Sequence, residues 1–377
     1  MSTEPFRIDV AETTLSDLRS RVANSRFTFA TAPGWTKGAD PAYLRDLTAY
    51  WAKDFDWRAA EARLNDHPQF LADVDGTRIH FVHVKAPRRD GAPEPLPLIL
   101  SHGWPSSFVE MLPLVPLLSD RFDLVIPSLP GFGYSRLPDG ALTRERIADL
   151  WHTLMTDVLG YSRFGAFGGD IGGGASQWLA AKYPDSVVGL HVIHPPAGGA
   201  GSTPSDGGPE PYTEAEQAFI DAEAAYDIED QGYSEIMWTR PDTIGAALAD
   251  SPVGLAAWII DKYRDWSDCG GDVESRWDRD TLLTVITLYW VTESIGSSFR
   301  QYADYPHNRP RPTITVPVGV TLSHEPVMAS FPRSLTERAC TDLRHWSEPG
   351  RGGHFLAFEE PELMAAELRT FFATLTD

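Results

Sequence analysis

The sequence predicts an α/β protein: a mostly parallel sheet flanked by helices, interrupted by a helical cap. Three observations carry this. Short apolar runs at 78–84, 96–100, 123–128, 163–167 and 188–193 alternate with helix-length segments, the pattern of strand–helix units feeding a parallel sheet. The composition changes after Pro195, where 198–209 is rich in Gly, Pro and Ser and reads as a hinge or lid segment. Helical patterning then fills 213–226, 243–249, 254–263 and 279–300 before strand-like sequence returns near Thr315.

In chain order, residues 1–75 form an arm ahead of the sheet, and 76–195 the first part of the core. Within that part, 85–95 is rich in Pro and charge and reads as a hairpin or surface loop. Residues 196–310 make the cap, whose first helix opens on a capping box, Thr213-Glu214-Ala215-Glu216. The core resumes over 311–377, with strands expected at 316–321 and 343–347.

Composition bounds the function. The 377 residues are enough for this fold with an inserted cap without an independent second domain. With 32 basic and 53 acidic residues the formal charge is −21, which disfavours nucleic acid and anionic membrane surfaces as partners. Cys269 and Cys340 are too few and too far apart for a disulfide framework or a metal cluster. The N-terminus has neither a basic start nor an apolar core segment, and no run approaches 18 apolar residues. A cytoplasmic protein without a membrane anchor is therefore expected.

The chemistry is concentrated in three segments. Gly168-Gly169-Asp170-Ile171-Gly172 lies where a strand should switch to a helix, with small residues two before and two after Asp170. That spacing is what a nucleophile elbow needs, and here the nucleophile is a carboxylate, anionic at neutral pH and able to attack carbon directly. A Gly-rich turn whose Asp only caps the helix has the same residues. The run 96–100 leads into Ser101-His102-Gly103-Trp104-Pro105, where the α/β-hydrolase fold places one wall of its oxyanion hole. The expected donors are the backbone N–H groups of Trp104 and Ile171. Gly350-Arg351-Gly352-Gly353-His354 follows the last expected strand, so the chain order is nucleophile, acid, histidine.

With these segments and Phe358-Glu359-Glu360-Pro361-Glu362, the chain resembles the microsomal-type epoxide hydrolases over nearly its whole length. The spacing of Leu15, Leu18 and Val22 and the aromatic run Tyr43, Tyr50, Trp51, Phe55 and Trp57 are similar to that family's N-terminal arm. The resemblance implies a helical arm and cap on an α/β-hydrolase core, opening of an epoxide by Asp170, hydrolysis of the resulting ester by His354 and an acid, and no cofactor or metal. It also implies that Tyr233 and Tyr302 hold the epoxide oxygen. Two neutral phenols suit that task, since ring opening generates an alkoxide needing hydrogen bonds and one proton. Packing is the ordinary use of most of the twelve tyrosines.

The chain departs from the family pattern in three places. Ser106 stands where glycine is common, and Ile171 where many relatives have tryptophan, which should widen the pocket. The third concerns the acid: Glu325, shortly after the strand ending at Thr321, is the expected residue, whereas an alignment on Phe331-Pro332-Arg333-Ser334 would put Ser334 there. Among the cap aromatics Trp238 is expected to line the pocket because it is close in sequence to Tyr233. The expected substrate is a bulky, largely apolar epoxide, with water as the second reactant and a homodimer left open. Two other functions fit parts of the pattern. A haloalkane dehalogenase also uses an elbow Asp, but would leave the tyrosine pair without a purpose; a non-catalytic binding protein would follow from a missing acid.

Overall fold

The computed structural model describes residues 3–88, 91, 94–198 and 211–375, with the backbone alone for 227–229. The expected hinge at 198–209 therefore lies, apart from Gly198, outside the described residues. Nine strands form one sheet: β1 (Thr3–Phe6), β2 (Gln69–Val74), β3 (Thr77–Val84), β4 (Leu96–Ser101), β5 (Phe122–Pro127), β6 (Phe164–Gly168), β7 (Val187–Val192), β8 (Val318–Thr321) and β9 (Leu343–Ser347). Their order is β1-β2-β3-β5-β4-β6-β7-β8-β9. From β5 to β9 every pairing is parallel, while β1, β2 and β3 run antiparallel at one end. The inner parallel strands are largely apolar, as strands covered on both faces are, and β5 and β6 are buried at every residue, whereas the edge strand β9 is only half-buried.

The arm is more than helical. Its helices Glu12–Ala23, Pro41–Lys53 and Trp57–Leu64 lie between β1 and β2, so the arm also extends the sheet. Neither strand has the clean alternation that marks a half-buried strand, since β1 is four largely exposed residues at the sheet edge. The turn Asp75-Gly76 joins β2 to β3, which places the expected arm–core boundary inside a hairpin. Arm helices pack on the cap helices Pro252–Trp266 and Arg279–Val291. Arg21 bridges to Asp250 at 2.6 Å and the Tyr50 hydroxyl donates to Asp280 at 2.9 Å across the same seam.

The cap begins with helices Glu214–Asp230, Gly232–Thr239, Pro241–Asp250 and Pro252–Trp266. The single helix expected over 279–300 is instead Arg279–Val291 followed by two short turns, Ile295–Ser298 and Arg300–Ala303. The cause is local. Glu293 takes φ +53°, and the Glu293 and Ser294 N–H groups reach back to Trp290 O and Tyr289 O, each at 3.1 Å. A residue in the left-handed region ends a helix by satisfying its last carbonyls in this way. The chain then turns, burying Phe299 completely and bringing Tyr302 to the mouth of the core. Among the described residues no single helix is long and apolar enough to cross a membrane.

Leu18, 4% exposed, lines the seam between arm and cap with Trp51 and Thr287. Leu18→Ala should cost about 2–5 kcal/mol, and the arm, cap and core should still melt together. Calorimetry resolving a separate low-temperature transition would show that the arm is not integrated with the rest.

Candidate active site

β6 ends at Gly168 and the helix Asp170–Lys182 begins two residues later, so the chain must reverse within Gly168-Gly169-Asp170. Asp170 takes φ +49°, a region that L side chains enter only under constraint. The flanking glycines are the constraint. A Cβ on Gly172 would lie 2.3 Å from the carbonyl oxygens of Ser101 and His102, and one on Gly168 would lie 2.7 Å from the Gly172 backbone. One on Gly103 would meet the Asp170 Cβ at 2.4 Å, so the elbow and the turn after β4 touch without intervening side chains. Across that contact the Trp104 N–H donates to Asp170 Oδ1 at 2.8 Å. Ile171, the other expected donor, is buried in the next position of the helix.

Beneath the turn lies Glu110, 3% exposed, which hydrogen-bonds the Gly103 backbone and the Ser106 side chain and is pushed up to about 7 by burial. Ser106 is also held from the cap: the Tyr289 hydroxyl donates to its carbonyl at 2.7 Å and the Tyr263 hydroxyl to its Oγ at 3.3 Å. The serine hydroxyl thus gives the cap an extra polar hold on this turn that glycine would lack.

His354 is placed by a glycine loop locked from two sides. Its N–H donates to Trp266 O at 2.8 Å, and a Cβ on Gly353 would lie 2.3 Å from that same oxygen. The Glu359 carboxylate accepts from the N–H groups of Gly353, Phe355 and Asp268 at 2.8–3.1 Å. His354 Nδ1 meets Glu325 Oε2 at 3.0 Å, while Nε2 faces Asp170 Oδ2 at 3.9 Å. Ser334 is elsewhere, donating to Glu216 at 2.8 Å. Glu337 and Asp342 pair locally with Arg333 and Arg344, so Glu325 is the carboxylate on the imidazole.

One histidine in this network was not singled out from the sequence. His194 follows β7, and its Nδ1 accepts the Asp170 N–H at 2.7 Å while its Nε2 meets Glu325 Oε1 at 2.8 Å. The signal was position: in an open α/β sheet, sites gather at the carboxyl ends of parallel strands. Because Nδ1 accepts, the ring proton sits on Nε2 and is donated to Glu325. The donor atoms of His194, Glu325 and His354 all lie within 4.8 Å, a metal-like spacing. An Nε2 that carries a proton has no lone pair for a cation, so the cluster reads as a hydrogen-bond network.

The charges follow from these contacts. Burial alone would raise Glu325, but His354, His194 and their hydrogen bonds outweigh it and hold the carboxyl well below the usual carboxylate range. For His354 burial disfavours the imidazolium, yet Glu325, then Asp170 and Glu110, raise its pKa above the ordinary value. Both shifts favour the imidazolium–carboxylate form of the pair.

The cap supplies an aromatic roof. Trp104 stacks on Tyr233 at 5.5 Å between centroids and meets Tyr302 edge-on at 5.8 Å, and the two tyrosines are 6.2 Å apart. Burial first, then Tyr233 and the Asp170 charge, raise the Tyr302 phenol well above its ordinary pKa, so it is neutral. Trp238 does not join them. It is 46% exposed and lines no part of the site cavity, because five helical residues from Tyr233 turn it about 140° around the axis. Trp266 takes the role instead, its ring 4.8 Å from His354 and 5.2 Å from Tyr233, its indole N–H on Asp230. Asp170, Tyr233, Trp266 and His354 open into one cavity of about 1040 Å³.

Residues 3–111 match the family model described as epoxide hydrolase N terminus, and 97–225 match the alpha/beta hydrolase fold. Epoxide hydrolase 1 of Oryctolagus cuniculus is 32% identical over 98% of this chain and 88% of its own length. The juvenile hormone epoxide hydrolase of Bombyx mori is 31% identical over 97% of this chain and 86% of its own. The crystal structure of juvenile hormone epoxide hydrolase from the same silkworm superposes with a TM-score of 0.86 at 29% identity, covering 99% of this chain and 94% of the other. The Aspergillus niger epoxide hydrolase gives 0.84 at 30% identity, covering 100% and 97%. From the arm through the cap to the His354 loop, this chain belongs to the epoxide hydrolases of the α/β-hydrolase fold.

Proposed function

We propose that the protein hydrolyses an epoxide to a vicinal diol through a covalent ester on Asp170. The observation that carries this reading is the placement of the Asp170 carboxylate, with Oδ1 on the Trp104 N–H and Oδ2 facing His354 Nε2. Asp170 attacks a ring carbon, the carbon–oxygen bond breaks, and Tyr233 and Tyr302 stabilise the alkoxide, one of them giving up its proton. His354 then takes a proton from water, and the hydroxide adds to the ester carbon. The oxygen that turns negative is met by the N–H groups of Trp104 and Ile171. Collapse expels the second diol oxygen, which takes the proton from His354, and the Asp170 acid left behind returns its proton to the tyrosinate.

Charge makes the two steps sequential. While Asp170 is anionic it raises both His354 and Tyr302. Ester formation removes that charge, so the phenol becomes a better acid as the alkoxide appears, and the imidazolium sheds its proton more readily when a base is needed.

Separating the half-reactions tests the assignments. Tyr233→Phe and Tyr302→Phe should each slow ester formation by on the order of 10²–10³-fold. His354→Gln should let the ester form and persist, seen by mass spectrometry as an adduct on the peptide holding Asp170, and Glu325→Gln should slow its hydrolysis by roughly 10²–10⁴-fold. Normal adduct formation in both tyrosine variants would remove them from the mechanism, and the absence of any adduct in His354→Gln would remove the ester.

The pH dependence has a definite sign. Deprotonated His354 is the active base, so single-turnover ester hydrolysis should speed up as pH rises through its pKa in the ester form. That inflection should lie below the His354 pKa found by NMR titration of the free enzyme, and Asp170→Asn should lower the NMR value too. An inflection at or above the free-enzyme value would contradict the charge coupling.

A further inference from the structure

The cavity that holds Asp170 and His354 also has a basic end. Four arginines line it, Arg144, Arg309, Arg311 and Arg338. Two of them are neutralised: Arg338 by Glu216 at 2.8 Å and Arg309 by Glu145 at 2.5 Å. Among the described residues neither Arg144 nor Arg311 makes an ion pair; Arg144 Nε is buried without a hydrogen-bond partner, and Arg311 donates only to the carbonyl of Pro312 at 2.9 Å. In a chain of net charge −21, two cavity-lining guanidinium groups without an acidic partner among the described residues are an exception to its charge balance. Burial lowers Arg311 to about 10, and the like charge of Arg144 adds to the effect.

Their location relates them to the chemistry. Arg144 lies along the helix that starts at Asp170, and a Cβ on Gly174 would sit 2.7 Å from the Arg144 Cδ, so the glycine makes room for the side chain. Gly174 is one turn past the nucleophile, about 6 Å along the helix axis. Arg144 opens its own helix, Arg144–Thr153, and its backbone N–H donates to Asn308 Oδ1 at 2.9 Å, which ties that helix start to the segment carrying Arg311. The Arg144 guanidinium lies over the Tyr305 ring at 5.5 Å.

We propose that Arg144 and Arg311 form a carboxylate-binding end of the active-site cavity, and that the substrate is an epoxide bearing a carboxylate a medium-length chain away from the ring. This deepens the epoxide hydrolase reading and rests on it for the reacting end. It also revises the expectation of a largely apolar substrate. A monoanion fits better than a phosphate dianion, because Asp170, Asp230 and Glu325 line the same cavity. Charge-assisted hydrogen bonds to guanidinium groups give such a carboxylate both affinity and a fixed distance from the nucleophile.

The test compares a medium-chain terminal epoxide carrying a carboxylate with its methyl ester, and unreactive octanoate with octanol as calorimetric probes. The wild-type protein should prefer the acid in kcat/KM on the order of 10–100-fold and bind octanoate more tightly than octanol by a similar factor. In Arg144→Gln combined with Arg311→Gln both ratios should collapse toward one, and Arg311→Lys, which keeps the charge, should retain part of them. Equal treatment of acid and ester, or of octanoate and octanol, by the wild-type protein overturns the proposal without any variant. Arginine-dependent octanoate binding with no diol from either epoxide would leave the anion site standing and sink the hydrolase reading; diol formation without carboxylate preference would do the reverse.

Discussion

The site depends on one buried carboxylate. Glu325, 6% exposed, accepts from His354 Nδ1 and His194 Nε2 and from the Ser323 hydroxyl at 2.8 Å. Through His194 the same group reaches the Asp170 N–H, so the Asp170 backbone, His354 and Glu325 belong to a single hydrogen-bonded unit. A buried anion is tolerated only when its lone pairs are met, and here three donors meet them. The strained backbone of Asp170 is thereby fixed from below by His194, while its carboxylate is fixed from above by Trp104.

The cap is joined to that unit at several points. Trp266 O takes the His354 N–H, Tyr289 and Tyr263 take hold of Ser106, and Lys262 is bound to Asp230 at 2.6 Å with its ammonium 4.9 Å from the Tyr233 ring. The arm in turn grips the cap through Arg21 and Tyr50.

The strands from β4 to β8 were legible because they are short, largely apolar runs broken by turn residues, and the elbow because its glycine spacing has a steric cause. Asp170, Glu325 and His354 were legible as a chain-order pattern. What could not be read was set by tertiary placement. His194 looks like any strand-end histidine until Glu325 arrives from 131 residues away. The helix stop at Glu293 depends on a left-handed backbone that its sequence does not announce, and it moves Tyr302 into place. Trp238 is near Tyr233 in sequence, but helical geometry turns it outward and gives its place to Trp266. The basic end of the cavity is likewise assembled from segments far apart in the chain, and only the pairing of the other arginines sets Arg144 and Arg311 apart.

The central claim is that a carboxylate of the protein, and not water, opens the ring. The most direct measurement is a single turnover with enzyme in excess in heavy-oxygen water, followed by mass analysis of the diol and of the peptide containing Asp170. Attack by Asp170 predicts a diol free of solvent oxygen and one heavy oxygen in the Asp170 carboxylate, because water adds to the ester carbonyl carbon. A first-turnover diol carrying solvent oxygen, with an unlabelled Asp170, would contradict it.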